Sequence, residues 1–422
     1  MEKILKTLKK FIPKRLFQTL QPTYHYLLAG VGALWYRFPS RKLHIVGVTG
    51  TNGKTTTATL LYKIATELGY KAGLVSTVEN IIAGEVKPTT HTTPDPISLN
   101  KLFREMVGAG CEYVFMEVSS HALDQKRVLG VHFTGGIFTN VTHDHLDYHK
   151  TFENYLEAKK KFFTMLPIGS FALSNTDNEY GNKMFQGIIA DKFSYGFNGN
   201  ENFHGEIKKM KFDGLDLVFN GVNIHSKLLG TFNAYNLLAV WGASNLLNFD
   251  MEKVNIILKD IEPPLGRFQH VTSPNGVLVI VDYAHTPDAL ENVLKTIRTF
   301  VADSKVISIF GCGGDRDPTK RKLMGHIGVM LSDIAIFTSD NPRSEDPEKI
   351  IEEMKTSLSD EDLKKVRTIP NRREAILEGI KLAHKGDVIL CAGKGHEDYQ
   401  EMKGVKHHFN DMEEFKKAFG IA

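Results

Sequence analysis

Short apolar runs that end in polar, glycine-bearing stretches recur along the chain and alternate with segments of helical period. The first runs from Leu43 to Val48 and breaks at Gly50-Thr51-Asn52-Gly53-Lys54-Thr55-Thr56, after which apolar positions recur at helix spacing to about Leu68. Runs at 71–76, 113–118 and 136–139 repeat the pattern, and residues 200–227 predict a short β excursion with turns at Asp213-Gly214 and Asn220-Gly221. A second series begins at Phe268, with apolar runs at 277–281, 305–310, 333–338 and 387–390. Helices are predicted between them at 288–301 and 371–384, the latter following Pro370 and stopping at Gly386. This alternation predicts an α/β fold in two successive parts, each with polar loops at the carboxyl ends of its strands.

The region before residue 43 reads differently. Lys3, Lys6, Lys9, Lys10, Lys14 and Arg15 interleave with Ile4, Leu5, Leu8, Phe11, Ile12, Leu16 and Phe17 in a basic amphipathic pattern broken by Pro13. The apolar stretch from Tyr24 to Tyr36 falls short of the roughly 20 residues a bilayer span needs. Helices folded onto the following domain are one reading of residues 1–42; peripheral contact with a membrane surface through residues 1–36 is the other.

Composition narrows the class. A chain of 422 residues with 24% charged residues and a net charge of +3 fits a multidomain globular protein and argues against a nucleic-acid partner. The three cysteines, Cys111, Cys312 and Cys391, form no C-x-x-C pair, so a reducing compartment, no structural zinc and a cytoplasmic location are expected. No small-residue cleavage site follows the early apolar stretch, which argues against a signal peptide.

The chemistry begins where the first apolar run meets the first helix. A glycine turn between a strand and a helix N-terminus aims backbone N–H groups and the helix dipole at one point, an anion site. Lys54 can reach terminal phosphates and the Thr55 hydroxyl can ligate Mg²⁺, which implies a nucleoside triphosphate site. The strict G-x-x-x-x-G-K-[ST] pattern wants glycine where Val48 stands, so this is a shorter form of the loop. Glu117 closes another apolar run, and a stretch with His143, Asp144, His145 and His149 follows the next. Three histidines suggest a zinc cluster, but Mg²⁺ with a single imidazole is the expectation. Taken alone, Lys159-Lys160-Lys161 reads as a solvated charge run, and Asp340-Asn-Pro-Arg343 as an Asx-type turn.

Seven motifs change those readings. Gly50-Thr-Asn-Gly-Lys-Thr55, Glu117-Val-Ser-Ser-His121, Asp144-His-Leu-Asp-Tyr-His149, Gly230-Thr-Phe-Asn-Ala-Tyr-Asn236, Asp282-Tyr-Ala-His-Thr-Pro287, Asp340-Asn-Pro-Arg343 and Gly393-Lys-Gly-His-Glu397 occur in that order. From about residue 43 to the C-terminus the chain resembles the Mur ligase family, in its MurE type. The resemblance implies ATP-dependent amide ligation through an acyl phosphate in peptidoglycan precursor synthesis. It also implies a central P-loop ATPase domain (43–267) and a C-terminal Rossmann-like domain (268–422). MurE-type ligases devote a whole N-terminal domain to the UDP of the acceptor; here a short, mostly helical segment (1–42) is expected in its place. The acceptor is accordingly a muramoyl-L-Ala-D-Glu dipeptide carrying UDP or, alternatively, a lipid or neither. A nucleotide-binding scaffold without catalysis is the reading from a different class, and a monomer is expected.

The resemblance also assigns residues. Gly50, Thr51, Asn52, Gly53, Lys54, Thr55 and Thr56, with Asn233, Asn236, Arg267 and Asp282, are the implied ATP contacts. Thr55, Glu117, His145 and Lys159 are the implied ligands of two Mg²⁺ ions, with Lys159 matching a lysine that the family carbamylates. Lys54, Glu117, His145 and Lys159 make up the implied catalytic set. Thr92, Thr93, Ser119 and Arg127 match positions that hold the acceptor. Arg316, Asp340, Asn341, Arg343, Gly393 and Glu397 match positions that bind meso-diaminopimelate, whose second ammonium–carboxylate centre calls for a guanidinium and an acid.

Overall fold

The computed structural model describes residues 26, 28–89, 91–142, 144–211, 214–301 and 304–421. The basic amphipathic stretch before Pro22, His143 and Asp213 of the anticipated turn lie outside them. Two compact units emerge: one takes the described residues up to 208 with 216–226 and 232–261, the other 209–215, 227–231 and everything from Glu262 on.

In the first unit the strands are β1 (His44–Thr49), β2 (Ala72–Val75), β3 (Asn80–Ile82), β4 (Glu85–Lys87), β5 (Tyr113–Glu117), β6 (Gly135–Phe138), β7 (Phe171–Asn175) and β8 (Asp191–Gly196). β9 (Phe203–Lys211), β10 (Gly214–Phe219) and β11 (Val222–Ser226) extend the sheet at one edge, in the order β11-β10-β9-β8-β7-β6-β1-β5-β2-β3-β4. β1 lies between β5 and β6, parallel to both, and Val48 stands opposite Glu117 and Ile137. Its residues from Ile45 to Thr49 are all buried, as an interior parallel strand covered on both faces requires. Because β1, β5 and β6 end level, the segments after Thr49, Glu117 and Phe138 leave the sheet side by side.

The helices follow from local signals. α1 (Lys54–Glu67) starts at Gly53, α2 (Pro96–Gly108) is capped by Asp95 with proline at its first position, and α3 (Ser120–Asp124) by Ser119. α4 (Leu146–His149) and α5 (Phe152–Thr164) follow, α5 capped by Thr151. α6 (Thr231–Leu246) and α7 (Met251–Asp260) complete the series. Phe103, Met106, Val114, Phe133, Phe162 and Phe163 lie in the core of this unit. Ahead of β1, residues 28–35 are helical, with Ala29 and Ala33 buried and Leu34 and Trp35 exposed. Among the described residues no helix is long and apolar enough to cross a membrane.

The second unit repeats the logic. β12 (Gln269–Thr272), β13 (Leu278–Asp282), β14 (Val306–Phe310), β15 (Ile334–Phe337), β16 (Val366–Thr368) and β17 (Val388–Ala392) stand in the order β12-β13-β17-β14-β15-β16. All but the antiparallel edge strand β12 run parallel. The short ribbon of β18 (Tyr399–Met402) and β19 (Val405–His408) stands apart from this sheet. α8 (Pro287–Phe300), α9 (Thr319–Leu331), α10 (Pro347–Lys355), α11 (Asp360–Leu363), α12 (Arg372–Leu382) and α13 (Asp411–Phe419) make up its helices. Val279, Val281, Ile307, Ile309, Ile336 and Ile389 from the sheet pack with Ala375, Ile376 and Phe415. Asp282 pairs with Ala392, and Phe310 with Phe337, so the loops after β13, β17, β14 and β15 open on one edge.

Candidate active site

The phosphate loop is held from outside as well as by its own turn. Gly53 takes φ +86° at the start of α1, and a Cβ there would stand 2.5 Å from Asn236 Oδ1. Thr139 donates to the Asn52 carbonyl at 2.6 Å, Asn140 Oδ1 accepts from the Asn52 amide at 2.9 Å, and the Thr51 amide donates to the Asn140 carbonyl at 2.8 Å. Thr51 Oγ1 meets the Tyr155 hydroxyl at 2.9 Å. The two residues after β6 therefore set the loop's shape, a role that their sequence neighbourhood does not announce. Lys54 folds its ammonium back onto the carbonyls of Gly50 at 3.0 Å and Thr51 at 2.7 Å. On α6, Asn236 donates to Asn233 at 3.1 Å and lies 3.5 Å from the Thr57 hydroxyl, so Asn236 reaches α1 with Asn233 behind it.

Beside the loop, Thr55 donates to Glu117 Oε1 at 2.9 Å, and the Thr77 amide donates to the same oxygen at 2.7 Å. Glu117 is buried, and its Oε2 has no hydrogen-bond partner among the described residues. A buried carboxylate oxygen in that state, next to a threonine hydroxyl, is the kind of hard donor Mg²⁺ takes. Lys159 belongs to no solvated charge run: it is 1% exposed, donates to the Gly50 carbonyl at 2.6 Å and lies 4.4 Å from the Tyr155 ring centroid. Burial first, and then the Lys54 ammonium, hold its pKa well below the usual lysine range. His145 is exposed, at φ +54°, with Nε2 3.4 Å from Asp144 and its ring 6.0 Å from that of Tyr155. His149 instead turns inward to Ser120 Oγ at 3.0 Å.

The four expected acceptor residues also meet. Thr93 donates to the Glu117 carbonyl at 2.8 Å and lies 3.4 Å from Ser119 Oγ, while Arg127 donates to the Thr93 carbonyl at 2.8 Å. Thr92 accepts from Thr77 at 3.0 Å. Gln125 aligns the guanidinium by accepting from Arg127 Nε at 3.0 Å and Nη2 at 2.7 Å. Thr77 and Gln125 went unnoticed in the sequence because neither belongs to a recognisable motif.

In the second unit, Asp282 accepts from the amides of Phe268 at 2.7 Å and Ala284 at 2.8 Å, and the Arg267 guanidinium lies 4.7 Å from the Tyr283 ring centroid. Burial raises the Asp282 pKa, with Arg267 opposing. Burial, helped by Arg267, pushes His396 down to about 4 and keeps its imidazole neutral near pH 7.

The loops after β15 and β17 close on each other. Asn341 donates to Glu397 Oε2 at 2.7 Å and accepts from the Glu401 amide at 2.8 Å, so its side chain is spent between loops and makes no local Asx turn. Arg343, at φ +52°, donates to the Gly314 carbonyl at 2.8 Å and has Nε 3.6 Å from Glu401 Oε2. Gly393 takes φ +115°, and a Cβ on it would lie 2.5 Å from Asp340 Oδ2. Arg316 is exposed on the loop after β14. Burial, and then Asp340, raise the Glu397 pKa.

Comparison with known proteins gives the family. Residues 48–244 match the Mur ligase middle domain and residues 266–395 the Mur ligase glutamate ligase domain. A UDP-N-acetylmuramoyl-L-alanyl-D-glutamate–2,6-diaminopimelate ligase of Parabacteroides distasonis is 55% identical over 91% of this chain and 79% of its own length. The chain belongs to the Mur ligase family. A similarly named ligase of Geobacillus kaustophilus is 43% identical to this Mur ligase over 89% of the chain and 79% of the relative. A solved structure of a ligase with the same name superposes with a TM-score of 0.67 at 33% identity, over 92% of this chain and 82% of that one. Folylpolyglutamate synthase of Mycobacterium tuberculosis gives 0.70 at 16% identity, over 88% and 92%, a likeness of fold.

Proposed function

We propose that this Mur ligase is an ADP-forming amide ligase of peptidoglycan precursor synthesis, joining meso-diaminopimelate to the D-glutamate of UDP-muramoyl-L-Ala-D-Glu. The observation that carries the proposal is the meeting of Asn341, Arg343 and Glu397 in one loop cluster, in a chain 55% identical to a ligase named for that reaction. A carboxylate is a poor electrophile. Transfer of the ATP γ-phosphoryl group to the D-glutamate carboxylate gives an acyl phosphate; the amine attacks its carbonyl carbon, and inorganic phosphate leaves. Positioning and charge neutralisation dominate such a transfer.

The residue roles belong to this reading. Gly50 to Thr56 would wrap the ATP phosphates, and Lys54 would leave the loop carbonyls to meet them. Asn233 and Asn236 would face the adenine; Arg267 and Asp282 would serve the phosphates and ribose. Thr55, Glu117, His145 and Lys159 would hold two Mg²⁺ ions, which when bound neutralise phosphate charge. Lys159 suits carbamylation, since a neutral amine attacks CO₂ and releases a proton to give an oxygen anion. Thr92, Thr93, Ser119 and Arg127 would seat the acceptor. Arg343, with Arg316, would take the distal carboxylate of diaminopimelate, and Glu397, with Asp340, Asn341 and Gly393, the distal ammonium. Lysine brings no distal carboxylate to Arg343 and Arg316, so it should be rejected.

The relatives' shared name specifies a UDP-linked acceptor, and we adopt that form over a lipid-linked or free muramyl peptide. ADP release with diaminopimelate, measured with UDP-linked and UDP-free muramyl dipeptide in parallel, tests it. Turnover with the UDP form is expected. Turnover confined to the UDP-free form would reverse the acceptor reading, and equal use of lysine would remove the pocket assignment.

A further inference from the structure

Lys394 has no role in the reading above, yet it sits at the centre of the amino-acid cluster. Its side chain is 0% exposed, and lysine is almost never buried that fully unless paired. Its ammonium meets Glu397 Oε2 at 3.3 Å, Asn341 Oδ1 at 3.4 Å and the Tyr399 carbonyl. These contacts decide the orientation of Asn341. With Lys394 and the Glu401 amide both donating to Oδ1, Nδ2 is left to donate to Glu397 Oε2. Both bonds to Glu397 fall on Oε2, and neither occupies Oε1.

The charges around Glu397 point the same way. Asp340 faces it from the end of β15, Tyr283 from the end of β13, and Lys394 from its own loop. Two carboxylates against one ammonium leave a single negative charge, the complement of one incoming ammonium. We propose that Lys394 is a positioning residue for amino-acid selection: directly and through Asn341, it holds Glu397 aimed at the distal ammonium of the substrate. This rests on the diaminopimelate reading of the cluster. Lys394 opposes the upward push that burial and Asp340 exert on the Glu397 carboxyl. Without it, that upward push goes unopposed by any ammonium of this loop.

The test is steady-state ADP release by the full chain, varying diaminopimelate at saturating ATP and acceptor, for Lys394→Met, Lys394→Gln, Glu397→Gln and the double variant Lys394→Met/Glu397→Gln. Lys394→Met should raise KM for diaminopimelate about tenfold while kcat and KM for ATP stay within about twofold. That KM should fall as pH rises, more steeply than in the wild type. The double variant should match Glu397→Gln alone. Additive effects, an unshifted pH profile, or equal damage to kcat and to KM for ATP would overturn the proposal. Should Lys394→Met not fold, Lys394→Gln is judged by the same criteria. Failure of both to fold would assign the lysine to the scaffold and overturn the proposal as well. A Glu397→Gln variant with unchanged KM for diaminopimelate would instead bring down the pocket reading on which the proposal stands.

Discussion

Lys54 and Lys159 place two amines on one carbonyl, that of Gly50, at 3.0 and 2.6 Å. Burial, and then the Lys54 ammonium beside it, hold the Lys159 pKa well below the usual lysine range. Lys54→Ala should abolish ATP turnover while circular dichroism and the melting temperature stay near those of the wild type; retained turnover would mean that the loop is misread. Lys159→Ala should lower kcat about 10²- to 10³-fold, the scale of losing one electrostatic contact to a reacting group. Stripping CO₂ from the buffer should mimic that loss and bicarbonate should reverse it; indifference to CO₂ would exclude carbamylation as a requirement. At the other cluster, Arg343→Ala should raise KM for diaminopimelate at least about tenfold and leave KM for ATP unchanged, because in the proposed pocket the guanidinium would read a carboxylate that ATP lacks. An unaltered preference over lysine would count against the assignment.

Between elements, Arg372 and Asp411 form a fully buried ion pair. Both side chains are 0% exposed, and the guanidinium bonds both carboxylate oxygens at 2.7 Å. The same guanidinium donates to the Ala392 carbonyl at 3.0 Å, one residue before the Gly393 loop, and lies 3.5 Å from the Ser339 carbonyl, one residue before Asp340. The N-terminus of α12, the start of α13 and the roots of the loops after β15 and β17 are thereby tied to one planar group. Asp411→Asn removes the negative partner and leaves a buried cation. It should cost about 3–5 kcal/mol of stability, measured by urea denaturation with the slope m unchanged. A cost below about 1 kcal/mol would show that the site is wetter than its burial implies.

For the whole molecule, two units with separate cores change what unfolding means. Val114, Phe133 and Phe162 belong to one core, and Val279, Ile309 and Phe415 to the other. Calorimetry should give a transition broader than two-state, and Asp411→Asn should lower one component and spare the other. A single transition, shifted as a whole, would mean that the units unfold together.

Much of this protein was written locally in the chain. Apolar runs with helical segments between them marked β1, β2, β5 and β6 of one sheet and β13, β14, β15 and β17 of the other, since a strand covered on both faces must be apolar throughout. Gly53, Lys54 and Thr55 announced an anion site because turn, helix start and ligand chemistry lie within consecutive residues. What only the tertiary structure decided were relations between residues far apart in the chain: Thr139 and Asn140 on the phosphate loop, Gln125 on Arg127, and Lys394 between Asn341 and Glu397. Lys159 makes the difference plain. Among Lys159, Lys160 and Lys161 its neighbours suggest water, but the turn of α5 carries it under Gly50 and leaves its companions outside the core. Burial and partner are set by packing, and packing is a property of the assembled chain.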